Sequence, residues 1–336
     1  MNFVNPPFRD THLNIFDSPA SHFFISDAIV DFETGLIYKD GSILWETANE
    51  NIIWYDGWCT GDARWKAPIT RQELIIERMK KMTTYMEEKI LKTENITTYD
   101  EDTALHLLHP FNRYVYGHIY DTFQKLYVVE KENLTFDSVL LSSGREVVDF
   151  DYHLKILNLD SHNIIDNNFG LIKIKRLLFV LPVVHPTTFS YESYLYIRNK
   201  YRNYFDINPK SGPNKKIFLT RRPGEVKRSL LNDKDVELAL TAKGITYLDG
   251  SQSLKKIVEH FGCASHVAGV HGALFVNNIF GHERTKYLEY CPDNRPVANF
   301  LNQYKLCESY QYVLTHADSN QSVELDIEAL LQFYAS

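Results

Sequence analysis

The chain has 336 residues, 36 basic and 43 acidic side chains, a net charge of -7, and hydrophobic and charged fractions of 44% and 24%. At about 100 to 200 residues per domain that is enough for two compact units with cores of their own. The composition excludes a disordered tail or a repeat rod, and the acidic balance excludes a general nucleic-acid binder.

Four scattered cysteines, Cys59, Cys263, Cys291 and Cys307, show no C-x-x-C pairing and read as reduced thiols. The opening MNFVNPPFRDTHLNIFD has no apolar signal core, and no run approaches the ~18 apolar residues of a membrane span. A cytoplasmic protein is the expectation. Aromatic residues reach 13%, a slight lean toward proteins that stack rings on sugars or bases.

In chain order, HFFISDAIVDFETGLIYKDGSILWET reads as a β meander with turns at Glu-Thr-Gly and Lys-Asp-Gly. Apolar residues at helical spacing predict a helix from Thr70 to about Lys92. The polar stretch TENITTYDEDT then leads to a second helix from about Asn112 to Tyr127. DSVLLSS is a predicted strand, REVVDFDYHLKILN a helix, LIKI and RLLFVLPVV two strands, and SYESYLYIRNKYRNYF a helix.

After the linker DINPKSGPNKK the alternation is clear. Strands are predicted at Lys216 to Thr220, Ile245 to Leu248, His266 to Val270 and Lys286 to Tyr290. Helices are predicted between them at Asp233 to Lys243, Leu254 to Phe261 and Gly272 to Phe280. Strands joined by helices of this length specify a parallel, Rossmann-like sheet. A last helix runs from Val323 to Tyr334.

Four features carry candidate chemistry. His271-Gly272-Ala273 ends a strand and opens a helix, where backbone N–H groups and the helix dipole attract phosphate; close helix-strand packing explains the small residues equally well. Its G-V-H-G-A-L spacing is not the G-x-G-x-x-G of dinucleotide enzymes. Arg221, Arg222, Lys227 and Arg228 follow the strand IFLT, with Asn232 as cap of the next helix, and such a cluster neutralises a diphosphate when it is not simply solvated surface. Glu289 stands at a strand's carboxyl end, where acids accept bonds from ribose or sugar hydroxyls. His118 and Asp121, three apart on a helix, share a face and make a candidate base. Three D-x-D triplets, at Asp100/Asp102, Asp149/Asp151 and Asp233/Asp235, are no more than an Asp-rich chain contains by chance, so no metal is assigned.

Taken together, T-R-R, Arg228 with Leu231-Asn232-Asp233, G-V-H-G-A-L-F-V-N with Asn277, and Y-L-E-Y-C-P resemble glycosyltransferase family 61 between Phe218 and Pro292. Tyr116-Gly117-His118-Ile119-Tyr120-Asp121 looks similar to the family's YxH-containing helix, and DAIVDFETGLIYKDGSILWE to its early meander. The chain departs from the family at Asn232-Asp233, where Asn-Glu is usual, and near Ile257, where Gln is often found.

The resemblance implies an α/β fold of GT-B architecture, two Rossmann-like domains facing a cleft with the meander on the first. It implies an acceptor-binding domain over 1–205, a nucleotide-sugar donor domain over 206–316, and a C-terminal helix, 317–336, packing back on the first. Implied too is an inverting, metal-independent transferase without a cofactor. Its donor would be UDP-linked, such as UDP-N-acetylglucosamine or UDP-xylose, and its acceptor a glycan or glycolipid hydroxyl in polysaccharide or glycoconjugate synthesis.

Arg221, Arg222, Arg228, Asn232, His271, Gly272, Ala273, Asn277 and Glu289 would hold the donor, with Asp249 and Ser251 at its nucleoside and Asp121 or His118 as base. With neither anchor nor disulfides, the chain looks like a bacterial or viral form, cytosolic or peripheral at a membrane. The rival reading is a non-catalytic nucleotide-sugar-binding partner of a polysaccharide assembly system.

Overall fold

The computed structural model describes residues 22–44, 47, 71–108, 119–141, 149–166, 170–181, 184, 185, 188–207, 212–221, 229–294 and 306–336. Of 71–79, 101, 102, 119, 121, 184, 185, 188 and 189 it describes the backbone alone. The chain is a mixed α/β protein of two compact units divided between Ser193 and Tyr194. Among the described residues no helix is long and apolar enough to cross a membrane.

The first unit is built on seven strands: β1 (His22–Asp31), β2 (Ile37–Lys39), β3 (Ser42–Ile43), β4 (Thr97–His106), β5 (Ser138–Leu140), β6 (Asn163–Ile165) and β7 (Leu171–Val180). Their order is β3-β2-β1-β7-β4-β5-β6. The expected meander is β1, β2 and β3, paired antiparallel. Its tighter turn has Asp40 and Gly41 both at positive φ, 50° and 83°, as a two-residue hairpin turn requires. LIKI and RLLFVLPVV, expected as two strands, form one. β7 lies antiparallel to β1 and parallel to β4 and so has both edges paired, which keeps it continuous through the polar Lys175-Arg176 step.

The polar stretch TENITTYDEDT hides most of β4. Alternation is unreadable there because the pairing with β7 shifts register between Tyr99 and Thr103. The crossovers carry α1 (Arg71–Lys92), α2 (Ile119–Phe123), α3 (Lys125–Lys131) and α4 (Phe150–Ile156). The single helix expected up to Tyr127 is interrupted at Gln124, and residues 112–118 lie outside the described set. A short pair, β8 (Val184–His185) and β9 (Thr188–Phe189), follows.

The meander is stapled to α1 by a polar cluster. Met82, Met86 and Ile90, four apart on α1, pack on Leu36, Ile43 and Leu171. Beside them Lys89 bonds Asp31 at 2.8 Å and Glu33 at 3.0 Å, and the Tyr85 hydroxyl donates to Asp31 at 3.1 Å. Burial alone would lower the Lys89 pKa, but the bonds to Asp31 and Tyr85 outweigh it and hold it above the usual lysine range. Burial also pushes the Tyr85 hydroxyl up to about 12.

A raised lysine pKa stabilises below its unfolded value and is lost as pH rises through the folded one. On the lysine side the staple is therefore intact through neutral pH and is lost in alkali. Asp31 is fully buried, so Lys89→Met leaves a carboxylate with hydroxyl and backbone partners but no cation. Urea unfolding is expected to show a loss of about 2 to 4 kcal/mol; a loss below about 1 kcal/mol would show that the hydroxyls suffice.

The second unit shows the expected alternation. After α5 (Tyr191–Tyr204) come β10 (Lys215–Leu219), α6 (Asp233–Thr241), β11 (Thr246–Leu248), α7 (Leu254–Gly262), β12 (Ala264–Val270), a 3-10 helix (Ala273–Phe280), β13 (Lys286–Pro292), β14 (Ser309–Thr315) and α8 (Ile327–Ala335). All five strands are parallel, in the order β11-β10-β12-β13-β14. The order reverses between β10 and β12, and at such a switch point ligands meet the carboxyl ends of strands.

Three details differ from expectation. The helix after Gly272 is 3-10 rather than α; the Phe275 N–H donates to the Gly272 carbonyl three residues earlier at 3.0 Å, the bond of the tighter turn. The two compact units divide in the first turn of α5, between Ser193 and Tyr194, whereas the sequence suggested a division near Asp206. Tyr201 packs on Phe280, while Arg198 and Arg202 donate to the carbonyls of Ile279, Phe280 and Gly281. The third concerns α8, which buries Leu330, Phe333 and Tyr334 on Phe218, Ala268, Leu288 and α6. Its Tyr334 hydroxyl donates to the Ile217 carbonyl. The apolar face expected to return to the first half is spent on its own unit's sheet.

Candidate functional site

The carboxyl ends of β11, β10 and β12 lie side by side, so the loops after Leu248, Leu219 and Val270 are neighbours by register. Arg221 follows β10 by two residues and Gly272 follows β12 by two. An ideal Cβ on Gly272 would stand 2.5 Å from Arg221 Nη2 and 2.7 Å from its Nε. The guanidinium therefore rests on the bare glycine backbone. The φ of Gly272 is -180°, extended and open to any residue, so it is space rather than dihedral freedom that asks for glycine here. The first N–H groups of the 3-10 helix have no acceptor within the helix, and they open beside this cation. Ala273 and Leu274, in that first turn, are partly exposed.

The third loop completes this edge. Asp249 accepts from the Ser251 N–H at 3.0 Å and the Ser251 hydroxyl at 2.6 Å, a side-chain-closed turn. Within it Gly250 has φ +78°, and a Cβ there would lie 3.1 Å from the Leu274 side chain. The 249–251 turn thus sits on the second residue of the 3-10 helix. Arg221, Gly272, Ala273, Asp249 and Ser251, all expected at the donor, share one edge.

His271 and Glu289 are the buried part of the arrangement, 3% and 1% exposed. The His271 N–H donates to the Tyr290 carbonyl at 2.8 Å, which extends β12 by one residue. Its ring Nδ1 bonds one oxygen of Glu289, and the Tyr310 hydroxyl donates to the other. Burial and the negative Glu289 push the Tyr310 hydroxyl well above its ordinary range, so it stays an O–H donor. Glu289 was expected to reach ribose or sugar; the structure turns both of its oxygens inward, to a histidine and a tyrosine.

Two more expected ligands have structural work. Asn232 precedes α6 but makes no side-chain cap. Instead its amide donates to the Leu325 carbonyl at 2.8 Å and accepts from the Leu325 N–H at 3.1 Å, pinning the segment before α8. Asn277 is fully buried. In both, the amide is directed at the protein backbone.

The α6 start is tied down by Asp233, which accepts from Thr220 at 2.7 Å and from the Tyr247 hydroxyl. Burial, then Asp233, drives that hydroxyl upward. The basic loop is thereby anchored at Thr220 and, beyond it, where Leu230 bridges Val323.

Arg222, Lys227, Arg228 and His118 lie outside the described residues, and Asp121 is described only as backbone in α2. The sequence reading missed Tyr310 because β14 was not recognised. SYQYVLT does alternate, and beside KYLEY it sets Tyr310 opposite Tyr287 and Tyr312 opposite Glu289, so the Tyr310 bond to the acid is a diagonal one across the strands. Missed too was the contact of Arg221 with Gly272, whose signal was two short motifs at the ends of adjacent strands.

No curated protein matches the chain in sequence. A family profile described as Glycosyltransferase 61 matches residues 116–288, just over half of the chain. It opens at the Tyr116-Gly117-His118 motif, includes the Arg221 loop and His271-Gly272-Ala273, and stops one residue before Glu289. With that match laid over this strand edge, the chain belongs to the glycosyltransferase 61 family.

Proposed function

We propose that this glycosyltransferase has GT-B architecture and transfers a sugar with inversion from a nucleotide-diphosphate donor, UDP-linked, to a hydroxyl of a glycan or glycolipid acceptor. The donor sugar we favour is N-acetylglucosamine or xylose, in polysaccharide or glycoconjugate synthesis on the cytoplasmic side. The observation that carries this reading is the Arg221 guanidinium resting on Gly272 at the switch point of a parallel sheet. A cation and the N–H groups of a helix start converge there, and that combination suits a diphosphate.

Arg221, joined by Arg222 and Arg228, would neutralise the charge that grows on the departing diphosphate, a stabilisation that needs no metal ion. His271 and Ala273 complete the phosphate contacts. The Asp249 to Ser251 turn and Leu274 offer the nucleoside a small polar and apolar platform. In the reaction the acceptor oxygen forms its bond to the anomeric carbon as the bond from that carbon to the phosphate oxygen breaks. The electron pair leaves with the diphosphate, and the acceptor proton goes to Asp121 or His118. Attack opposite the leaving group inverts the anomeric centre.

A panel of UDP-, GDP- and dTDP-sugars offered with and without EDTA tests the reading. Turnover of a UDP-sugar that survives EDTA, with product of inverted anomeric configuration by NMR, is the expected result. Asp121→Ala or His118→Ala should cost about 100- to 10,000-fold in turnover. Retention of configuration overturns the mechanism, and full turnover in both variants moves the base elsewhere. Nucleotide binding without turnover of any donor favours the non-catalytic reading.

A further inference from the structure

We propose that Tyr310 is a positioning residue of the donor site, acting through Glu289 to hold His271 in one tautomer and one orientation. This rests on the reading that His271 meets the donor's diphosphate. The three residues come from three adjacent parallel strands: His271 from the end of β12, Glu289 from β13 and Tyr310 from β14. An ionised carboxylate only accepts hydrogen bonds. With Tyr310 donating to one oxygen, the bond between the other and His271 is made by an Nδ1–H. The proton is thereby assigned to the inner ring nitrogen, and the ring plane is set by a carboxylate that cannot turn without losing its second donor.

Glu289 lies 1% exposed, so bulk solvent does not reach it to replace a lost donor. Tyr310 does not itself face the switch point. It also lies beyond the segment that matches the family profile, so the match gives it no role.

The hydroxyl can be removed without the ring. Tyr310 stacks on Tyr287 at 5.9 Å with 24° between planes, and Tyr310→Phe keeps that stack. Tyr287→Phe is the matched control, because it removes a buried hydroxyl from the same stack and leaves both bonds of Glu289 in place.

The first measurement is made on the ligand-free protein: the low-field proton resonance of the His271 Nδ1–H, identified by its loss in His271→Ala. Tyr310→Phe is expected to shift or exchange-broaden it, and Tyr287→Phe to leave it in place. The second is UDP titration by calorimetry. Tyr310→Phe should weaken UDP roughly three- to tenfold, the size of one hydrogen bond to a charged group partly lost. The same change made on top of His271→Ala should add nothing, as coupled residues do.

An unmoved Nδ1 resonance in Tyr310→Phe overturns the relay whatever happens to UDP. Full additivity with His271→Ala overturns it too, since a merely structural hydroxyl would act independently of the histidine. If the resonance moves but His271→Ala binds UDP as tightly as the unaltered protein, it is the donor reading of His271 that falls.

Discussion

Gly269→Ala is expected to destabilise the second unit strongly. Gly269 is the β12 residue directly opposite Leu219 of β10. A Cβ there would stand 2.5 Å from the Leu219 carbonyl oxygen and 2.7 Å from the Leu219 Cβ. Both obstacles belong to the neighbouring strand, so no rotamer relieves the clash; β10 and β12 must move apart or shift. Overpacking of this kind costs about 3 kcal/mol or more, which for a unit of this size lowers the melting temperature by about 6 to 12 °C. Scanning calorimetry measures it directly. The same displacement spoils the switch point, since Arg221 and His271 stand just past these two strands, and UDP affinity should fall with stability. A melting temperature within about 2 °C of the unaltered protein would show that the two strands do not approach so closely.

Three residues on, the same substitution should do the opposite: spare the fold and remove the ligand. In Gly272→Ala the new methyl meets Arg221 Nη2, Nε and Cζ at 2.5, 2.7 and 3.0 Å. All three atoms lie at the far end of a long, rotatable side chain rather than on backbone, and the extended backbone at Gly272 accepts alanine. Stability should stay within about 1 kcal/mol. UDP binding, however, should weaken to the level of Arg221→Ala, about ten- to a hundredfold, the range of lost charge-assisted bonds to phosphate.

The double variant separates causes. If Gly272→Ala acts by evicting the guanidinium, it should add nothing once Arg221 is alanine. A Gly272→Ala protein that holds UDP undiminished would remove the central support for the donor site. Additive losses would mean that the glycine makes a contact of its own.

Legibility tracked the kind of interaction that fixes each element. The β-α-β alternation after Lys215 could be read because each buried parallel strand is a short apolar run and each helix a separate amphipathic one. The meander could be read from its Asp-Gly turn. Strands whose burial comes from neighbours distant in sequence could not. β4 carries Thr97 to Thr103 through a register shift, and β14 carries alternating tyrosines that become a pattern only beside β13. The last helix showed its apolar face plainly, but which surface would cover it is a question of contact between distant segments.

The residues of the site divide the same way. That Arg221 and His271-Gly272-Ala273 both end strands of one parallel sheet followed from local pattern and the rule that ligands meet such sheets at their carboxyl edge. This is what the sequence determined by itself: the edge, the residue types on it, and a family whose matched segment covers them. Direction of the side chains was decided only by the tertiary structure.

Asn232 carries the right chemistry for a ligand, yet its amide is used by the Leu325 backbone, which comes close only on folding, whereas Asn277 spends its amide within its own 3-10 helix. Glu289 is likewise a carboxylate at a strand end, but the tyrosine that claims its second oxygen comes from a strand added later to the sheet. For Asn232 and Glu289 the physical reason is the same. A buried polar group bonds with whatever the packed chain brings within reach, and that partner is set by strand order and register rather than by its own neighbours in sequence.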